Sequence, residues 1–512
     1  MNIRLLPLAV LLCYAFSLSG QDDYIINPSV INGSLVQTTP PVTEIYISPK
    51  LALDTTKHAK PGYNPKKDWP LNSYVDFTAL PAKSDLGVQK NYPKFNTTRS
   101  SQLDFDGIGP TNVDPADPCI AIGPNHIVQM VNAPSGSKFK VWNKDGTVAW
   151  NEIYFDGITG INGAGDPIVL YDARADRWLL SEFSISGYKM VVGISTSPDP
   201  LGSYYIYSFN TPNFPDYPKY SIWTDAFLIT TNEDGVSPAY ALDRTKMLAG
   251  DPEVTAQRFT IPEFPTINFQ AATPVGMVGT NLPPSGSPGL IMRMADDAWS
   301  TSIPDDRLEI WEFDIDFENE ANTSLTGPII LETEPFDSNL CGYSSYACID
   351  QPDSPLNLDP LREVLMNKIA YRNFGDYESI VCTHVTDVDG DDRAGIRWYE
   401  LRNEGNGWEI YQQSTYAPDY DDASRWMSSA CINADGTIGL AYNISSATIY
   451  PGMRYTGRTA CDPLNEMTYP ETTIKEGTSK NSSNRWGDYT CLDVDPGNGS
   501  FWYTAGYTKN DS

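Results

Sequence analysis

Three arginines recur ahead of aromatic segments: Arg372 in Arg372-Asn-Phe-Gly-Asp-Tyr377, Arg425 in Arg425-Trp-Met-Ser-Ser-Ala-Cys431, and Arg485 in Arg485-Trp-Gly-Asp-Tyr-Thr-Cys491. A planar guanidinium donates paired hydrogen bonds to two anionic oxygens, so a cluster of three suits a carboxylate or a sulfate. Asp166, Asp216, Asp376 and Asp488 fall at nearly the same phase of the recurring segments. They offer the alternative, in which the arginines pair with them and stack on their tryptophans to lock neighbouring elements together. If the arginines instead hold an acidic sugar, one neighbouring carboxylate can donate a proton while another stabilises charge or attacks. Tyr455, between Arg454 and Gly457, is then a candidate nucleophile.

Asp387, Asp389 and Asp391 alternate around Gly390, the pattern of a flexible oxygen cage for calcium; Asp104-Phe-Asp-Gly107 is a shorter version. Neither completes a twelve-residue loop with a closing Glu, and an acidic hairpin turn in water is the competing reading. Calcium is the one cofactor these residues suggest. The three histidines, His58, His126 and His384, are too far apart for a two-histidine zinc motif. No Gly-rich phosphate loop or Gly-x-Ser-x-Gly elbow occurs. With 65 acidic against 35 basic residues, a net charge of −30 excludes nucleic acid as partner. Such acidity attracts a basic partner or divalent cations, and more simply confers solubility outside the cell.

The elements that must position these residues are short strands. Forty Pro and 38 Gly punctuate a chain that is 12% aromatic, a mixture that favours strands and tight turns over helices. Segments like the arginine starts recur at Asp117-Pro-Cys-Ile, Gly165-Asp-Pro-Ile, Asp216-Tyr-Pro-Lys and Phe269-Gln-Ala-Ala, giving seven starts with Arg372, Arg425 and Arg485. Steps of about fifty residues, each holding several strand-like runs, predict an all-β fold: a β-propeller of about seven four-stranded blades. Paired β-sandwiches would not demand a common start at each step. The starts would then form a circle around the central channel. Residues 1–20 read as an export signal, 21–110 as an extended Pro/Thr-rich arm or linker, and 111–512 as the propeller, with an insertion around 318–362. Few residues remain for the last blade, so either the arm supplies a strand or the chain is a fragment. No segment is long and apolar enough to span a bilayer. An oxidising destination permits a Cys341–Cys348 disulfide. Cys431 and Cys491, at matching repeat positions, are either bonded between blades or buried thiols, and Cys119, Cys382 and Cys461 are unassigned.

Gly123-Pro-Asn-His126, Asp216-Tyr-Pro-Lys-Tyr-Ser-Ile-Trp-Thr-Asp225, Tyr371-Arg-Asn-Phe-Gly375, Gly395-Ile-Arg-Trp-Tyr-Glu-Leu-Arg402, Arg454-Tyr-Thr-Gly-Arg458 and Arg485-Trp-Gly-Asp-Tyr489 give residues 117–504 a specific likeness. The chain resembles an uncharacterised family of secreted bacterial β-propeller-like surface proteins. A fainter, fold-level likeness to sialidase-type propellers is hinted at by Asn143-Lys-Asp-Gly-Thr-Val148, and it makes Tyr455 a nucleophile of that kind. The resemblance implies a propeller but brings no assigned catalytic residues. The expected function is a secreted or cell-surface binding scaffold for a glycan or an extracellular protein. The alternatives are an enzyme acting on acidic polysaccharide, as glycoside hydrolase or polysaccharide lyase, and a structural part of a surface or secretion assembly.

Overall fold

The computed structural model describes residues 28–45, 58–59, 85–94, 101–233, 236–264, 269–342 and 345–509. The export signal expected at 1–20 lies outside the described residues. Runs rich in Val, Ile, Tyr, Phe and Trp form strands because branched and aromatic side chains pack well on a pleated surface. Gly and Asp residues close the turns between them, as at Gly146 and Gly436, whose φ values of 84° and 73° favour a residue without Cβ.

The arm contributes β1 (Ser29–Thr38) and β2 (His58–Ala59), which pairs in parallel with β3 (Val113–Asp114) just beyond it. Antiparallel sheets then follow one another. The first holds β4 (Cys119–Ile122), β5 (His126–Ala133), β6 (Gly136–Asn143) and β7 (Val148–Tyr154). The second holds β8 (Gly165–Asp172), β9 (Arg177–Ser184), β10 (Lys189–Ser195) and β11 (Tyr204–Asn210). The third holds β12 (Asp216–Ile222), β13 (Ala226–Asn232), β14 (Ser237–Asp243) and β15 (Thr255–Ile261). The fourth holds β16 (Thr273–Met277), β17 (Gly289–Ala295), β18 (Arg307–Asp314) and β19 (Ser324–Glu332). The fifth holds β20 (Ile369–Asn373), β21 (Glu378–Asp387), β22 (Ala394–Asn403) and β23 (Trp408–Tyr416). The sixth holds β24 (Ser424–Ile432), β25 (Ile438–Ser445), β26 (Gly452–Arg458) and β27 (Thr472–Lys475), and a two-stranded sheet, β28 (Cys491–Val494) with β29 (Phe501–Thr504), ends the series.

The first strand of each sheet meets the first strand of the next around a common axis, which makes the fold a propeller. Val169 N donates to Cys119 Sγ (3.4 Å), Ser221 Oγ to Val275 O (2.9 Å), and β16 pairs in parallel with β20. Arg372 Nε donates to Ile432 O (3.1 Å), Leu492 N to Ser429 Oγ (2.9 Å), and Ile122 N to Asp493 Oδ2 (3.1 Å), so β28 closes the circle between β24 and β4. These inner strands are covered on both faces. They therefore read as continuous small or apolar runs such as Cys-Ile-Ala-Ile, whereas the outer β7 is half exposed. Several begin with a bulge, at Gly165/Ile168, Asp216/Lys219 and Trp426/Ser429, where Asp166, Tyr217 and Met427 take φ values of 52°, 52° and 51°.

Asp117, Gly165, Asp216, Phe269 and Arg485 lie at or up to six residues before the first residue of an inner strand, and Arg425 is the second residue of β24; Arg372 instead follows the start of its strand. It lies near the end of β20, and its Gly-Asp-Tyr segment makes the β20–β21 turn, where Gly375 N (φ 94°) donates to Asn373 Oδ1. A Gly-Asp pair serves a tight turn as well as a strand start, which produced the false match. Residues 324–332 are the regular strand β19, so the inserted segment follows Glu332 and ends before Ile369. Its Leu340, Ile349, Leu358, Leu361 and Val364 pack with Tyr217, Phe269, Trp426 and Met427, capping the starting ends of the inner strands. The Cys341–Cys348 disulfide lies in this cap.

Among the described residues the arm supplies no strand to the last sheet. Instead β1 pairs antiparallel with both β11 and β15, joining the outer edges of the second and third sheets. Phe105 packs against Trp142 and Trp502 beside the last sheet. Asp85 forms a wholly buried ion pair with Arg397 (3.2 Å) on the fifth.

Candidate functional site

The axis has two ends, and they differ in chemistry. At the capped starting end, Arg485 pairs with Asp488, with Asp359 at 3.9 Å. Burial works against the Arg485 charge, but Asp488, Asp359, Asp117 and Asp216 more than offset it and hold the group protonated. Asp117 Oδ1 accepts from Asp488 N (2.7 Å), its Oδ2 accepts from Asn132 Nδ2 (2.8 Å), and Asn132 Oδ1 accepts from Asp166 N (2.8 Å). Lys219, fully buried, stands over the rings of Tyr217 (3.3 Å) and Tyr489 (4.1 Å). Thus Asp166, Asp216, Asp488 and Arg485, all anticipated from the sequence, belong to one buried network beneath the cap. Asp117 and Lys219, which stand in the recurring starts but were not singled out as site residues, join it, as does Asp359, whose local sequence carries no such mark.

The other anticipated residues are elsewhere. Arg425 turns into its own sheet, its Nε and Nη2 donating to Glu471 (2.8 and 2.9 Å) and its Nη1 and Nη2 to Asp421 (3.0 and 2.9 Å). Arg372 sits at the far end of the axis, reaching the last residue of β24, whereas Arg425 is the second. Asp376 is exposed in the β20–β21 turn. Tyr455 is on the third strand of the sixth sheet, against Ala370, Cys431, Leu492 and Val494. The three guanidinium groups therefore do not converge.

Nor do Asp387, Asp389 and Asp391 form a cage. Asp387 Oδ1 accepts from the amides of Asp389 (3.1 Å) and Gly390 (2.9 Å), its Oδ2 accepts from Asp392 N (3.2 Å), and Asp389 pairs with Arg393 (3.2 Å). Burial pushes Asp387 up to about 6, against those amides. Among the described residues the carboxylates close enough to share an ion are Asp296, Asp297 and Asp306. Asp296 accepts from Ser338 N (2.9 Å) and Asp306 from Phe336 N (2.6 Å), so they anchor the root of the cap. Burial and the neighbouring Asp296 raise Asp306 to about 9. His384 is buried against Phe336 and bonded to Tyr399 Oη (3.0 Å), and burial depresses it to about 3, as befits a core histidine.

At the trailing end of the inner strands a cavity is lined by Tyr171, Asp172, Arg174, Ser221, Gly276, Gly279, Lys368 and Asp493. Lys368 and Asp493 pair across its floor, and Asp493 also accepts from Ile122 N. Asp172 is held by Arg244 (2.6 Å) and by the amides of Arg174 and Ala175. Arg174 is exposed at the rim and has no ion-pair partner among the described residues. Arg372 lies beside it: a Cβ on Gly279, whose φ is 88°, would stand 2.6 Å from Arg372 Nη1. Arg372 also lacks a carboxylate partner among the described residues, and burial lowers its pKa. Arg174 was missed because it occurs in a β8–β9 turn, Asp-Ala-Arg-Ala-Asp, outside the recurring segments.

No protein-family model and no curated protein sequence matches the chain. Among solved structures it is similar to the WD40 domain of SCAP from fission yeast, at 11% identity and a TM-score of 0.34, covering 76% of this chain and 84% of that one. It is also similar to a subtype N10 neuraminidase-like protein of A/little yellow-shouldered bat/Guatemala (9% identity, TM-score 0.35, 67% and 94% covered). An alpha-L-arabinofuranosidase from Podospora anserina gives 11% identity, a TM-score of 0.31, and coverage of 78% and 99%. Values this low carry no inference about ligand or chemistry.

Proposed function

We propose that the protein is a secreted or cell-surface propeller acting as a binding scaffold, whose ligand docks at the open trailing end of the axis and presents a carboxylate or sulfate, as an acidic glycan does. The observation that carries this reading is Arg174, exposed at the cavity's rim without an ion-pair partner among the described residues, with the buried Arg372 guanidinium behind Gly279 in the cavity wall. Arg174 can donate a fork of hydrogen bonds to an anionic group, and Arg372 adds positive charge behind the wall. The net charge of −30 opposes an anionic ligand only weakly at this distance range, because exposed charges are screened over about 8 Å at physiological ionic strength. A scaffold is favoured over a hydrolase because the carboxylates at this mouth, Asp172 and Asp493, are both engaged by cations and amides. Acid–base cleavage of a glycosidic bond requires two carboxyl groups facing the sugar.

The test is binding to an array of neutral, carboxylated and sulfated glycans. Wild type is expected to retain acidic glycans, and Arg174→Ala, at an exposed site, to bind them about tenfold more weakly, the loss of one charge-assisted contact. Unchanged binding by the variant would remove the trailing-end site. Release of reducing ends or of unsaturated sugar would favour the enzymatic alternative.

A further inference from the structure

The β8–β9 turn at the rim of the trailing-end cavity is held in shape by its own charged residues. Asp172 Oδ1 accepts from the amides of Arg174 (3.1 Å) and Ala175 (3.0 Å), while its Oδ2 pairs with Arg244. Arg177 Nη1 donates to Ala175 O (3.2 Å) and Asp176 O (2.8 Å), and the Tyr171 phenol donates to Asp176. Arg174, Arg177 and Arg244 against Asp172 and Asp176 leave one positive charge in excess, and Arg174 is the group at the exposed rim. Tyr171 stands opposite Trp178 in the strand pair, with ring centroids 4.9 Å apart and planes tilted by 53°. Indole and carboxylate thus fix the ring from two sides. It is half-buried and lines the cavity together with Leu170, Ile222 and Val278. Burial and the neighbouring Asp176 keep its phenol protonated, so the ring brings no negative charge to the wall.

We propose that this cavity takes the terminal hexuronate of a glycan chain, with the apolar C–H face of the sugar against Tyr171 and its carboxylate on Arg174. The inference rests on the trailing-end reading above and deepens it from acidic glycans to one class of sugar. An aromatic ring with aliphatic neighbours suits the C–H face of a pyranose, whereas a free anion gains nothing from such a wall. The planar guanidinium fork matches the two coplanar oxygens of a carboxylate. The volume of ≈ 50 Å³ is room for about four waters. That admits one edge of a single ring and not a run of rings, so the site reads a chain end and leaves the rest of the chain in solvent beyond the rim.

The experiment titrates the full chain, by ligand-observed NMR, with the methyl glycosides of glucuronic and galacturonic acid, the matching neutral glycosides, methyl glucoside 6-sulfate and acetate. The better of the two uronides is expected to bind about tenfold more tightly than any of the other probes, the worth of one charge-assisted contact or of the ring contact. Acetate or the sulfate ester binding as tightly as the uronides would overturn the assignment, and this comparison needs no variant to fold. Tyr171→Ala should weaken uronide binding about tenfold, while Tyr171→Phe, which keeps the ring, should retain most of it. A Tyr171→Ala protein that melts like wild type and binds the uronide unchanged would also overturn it. Either contrary result leaves the acidic-glycan reading in place as long as Arg174→Ala still weakens binding to the array. Wild type that retains no acidic glycan at all removes both.

Discussion

Arg425 carries a full charge at a position with no solvent exposure, and it does so because Glu471 and Asp421 between them accept from each of its nitrogens. Tyr442 adds a hydrogen bond to Glu471 (2.7 Å), and Arg454 adds a second cation at 3.3 Å. Burial alone would raise Glu471, but the two arginines and Tyr420 hold it at about 2. Removing one member of such a buried set strands the others, so Glu471→Gln should cost about 3–5 kcal/mol in urea unfolding. The pH dependence follows from the depressed pKa. An unfolded Glu titrates near 4.3, so the contribution is complete above about pH 4.3 and disappears as pH falls toward 2. Wild type should lose stability over that window more steeply than Glu471→Gln; parallel profiles would show that Glu471 is not the linked group. The sequence offered both ligand binding and internal pairing for Arg425, and only the position of Glu471, a distant residue on the approach to β27, chose between them.

At the scale of elements, β1 shows how a segment that reads as linker becomes structure. Ser29–Thr38 alternates weakly and has no local partner, so its chain neighbours give no reason to call it a strand. Its hydrogen bonds come from β11 and β15, both more than a hundred residues away, and it covers two sheet edges that would otherwise be open to other chains. Gly33 passes so close to Phe209 that a Cβ would lie 2.3 Å from the ring, and 2.7 Å from Val254 Cγ2. Gly33→Val should therefore destabilise by about 1–3 kcal/mol through overpacking, seen as a lower thermal midpoint and faster proteolysis near β1. An unchanged midpoint would mean that β1 contributes little to holding the second and third sheets together. The cap behaves likewise: its disulfide was legible from two nearby cysteines, whereas its seat over the starts of the inner strands depends on Tyr217 of β12, Phe269 on the approach to β16 and Trp426 of β24.

For the whole molecule, each inner strand is buried by its two neighbours, so the circle is a cooperative structure that β28 closes. Deleting residues 491–512 should bare the facing sides of β24 and β4, including Cys119, Ile120 and Ala430, which are now buried. The expected result is binding of a hydrophobic dye and loss of a single sharp unfolding transition; a truncated chain that melts like wild type would mean that the last sheet is dispensable to the ring. The sequence by itself determined the strand-and-turn texture, most inner-strand starts and the Cys341–Cys348 bond. Each of these depends on residues close together in the chain, through turn chemistry, burial on both faces or short loop closure. Which arginine faces the axis, which end of the axis is capped and where the arm strand docks were decided only by the tertiary structure. A recurring motif fixes a position along a strand. The direction of its side chain depends on bulges such as those at Tyr217 and Met427, and its partners on residues hundreds of positions away.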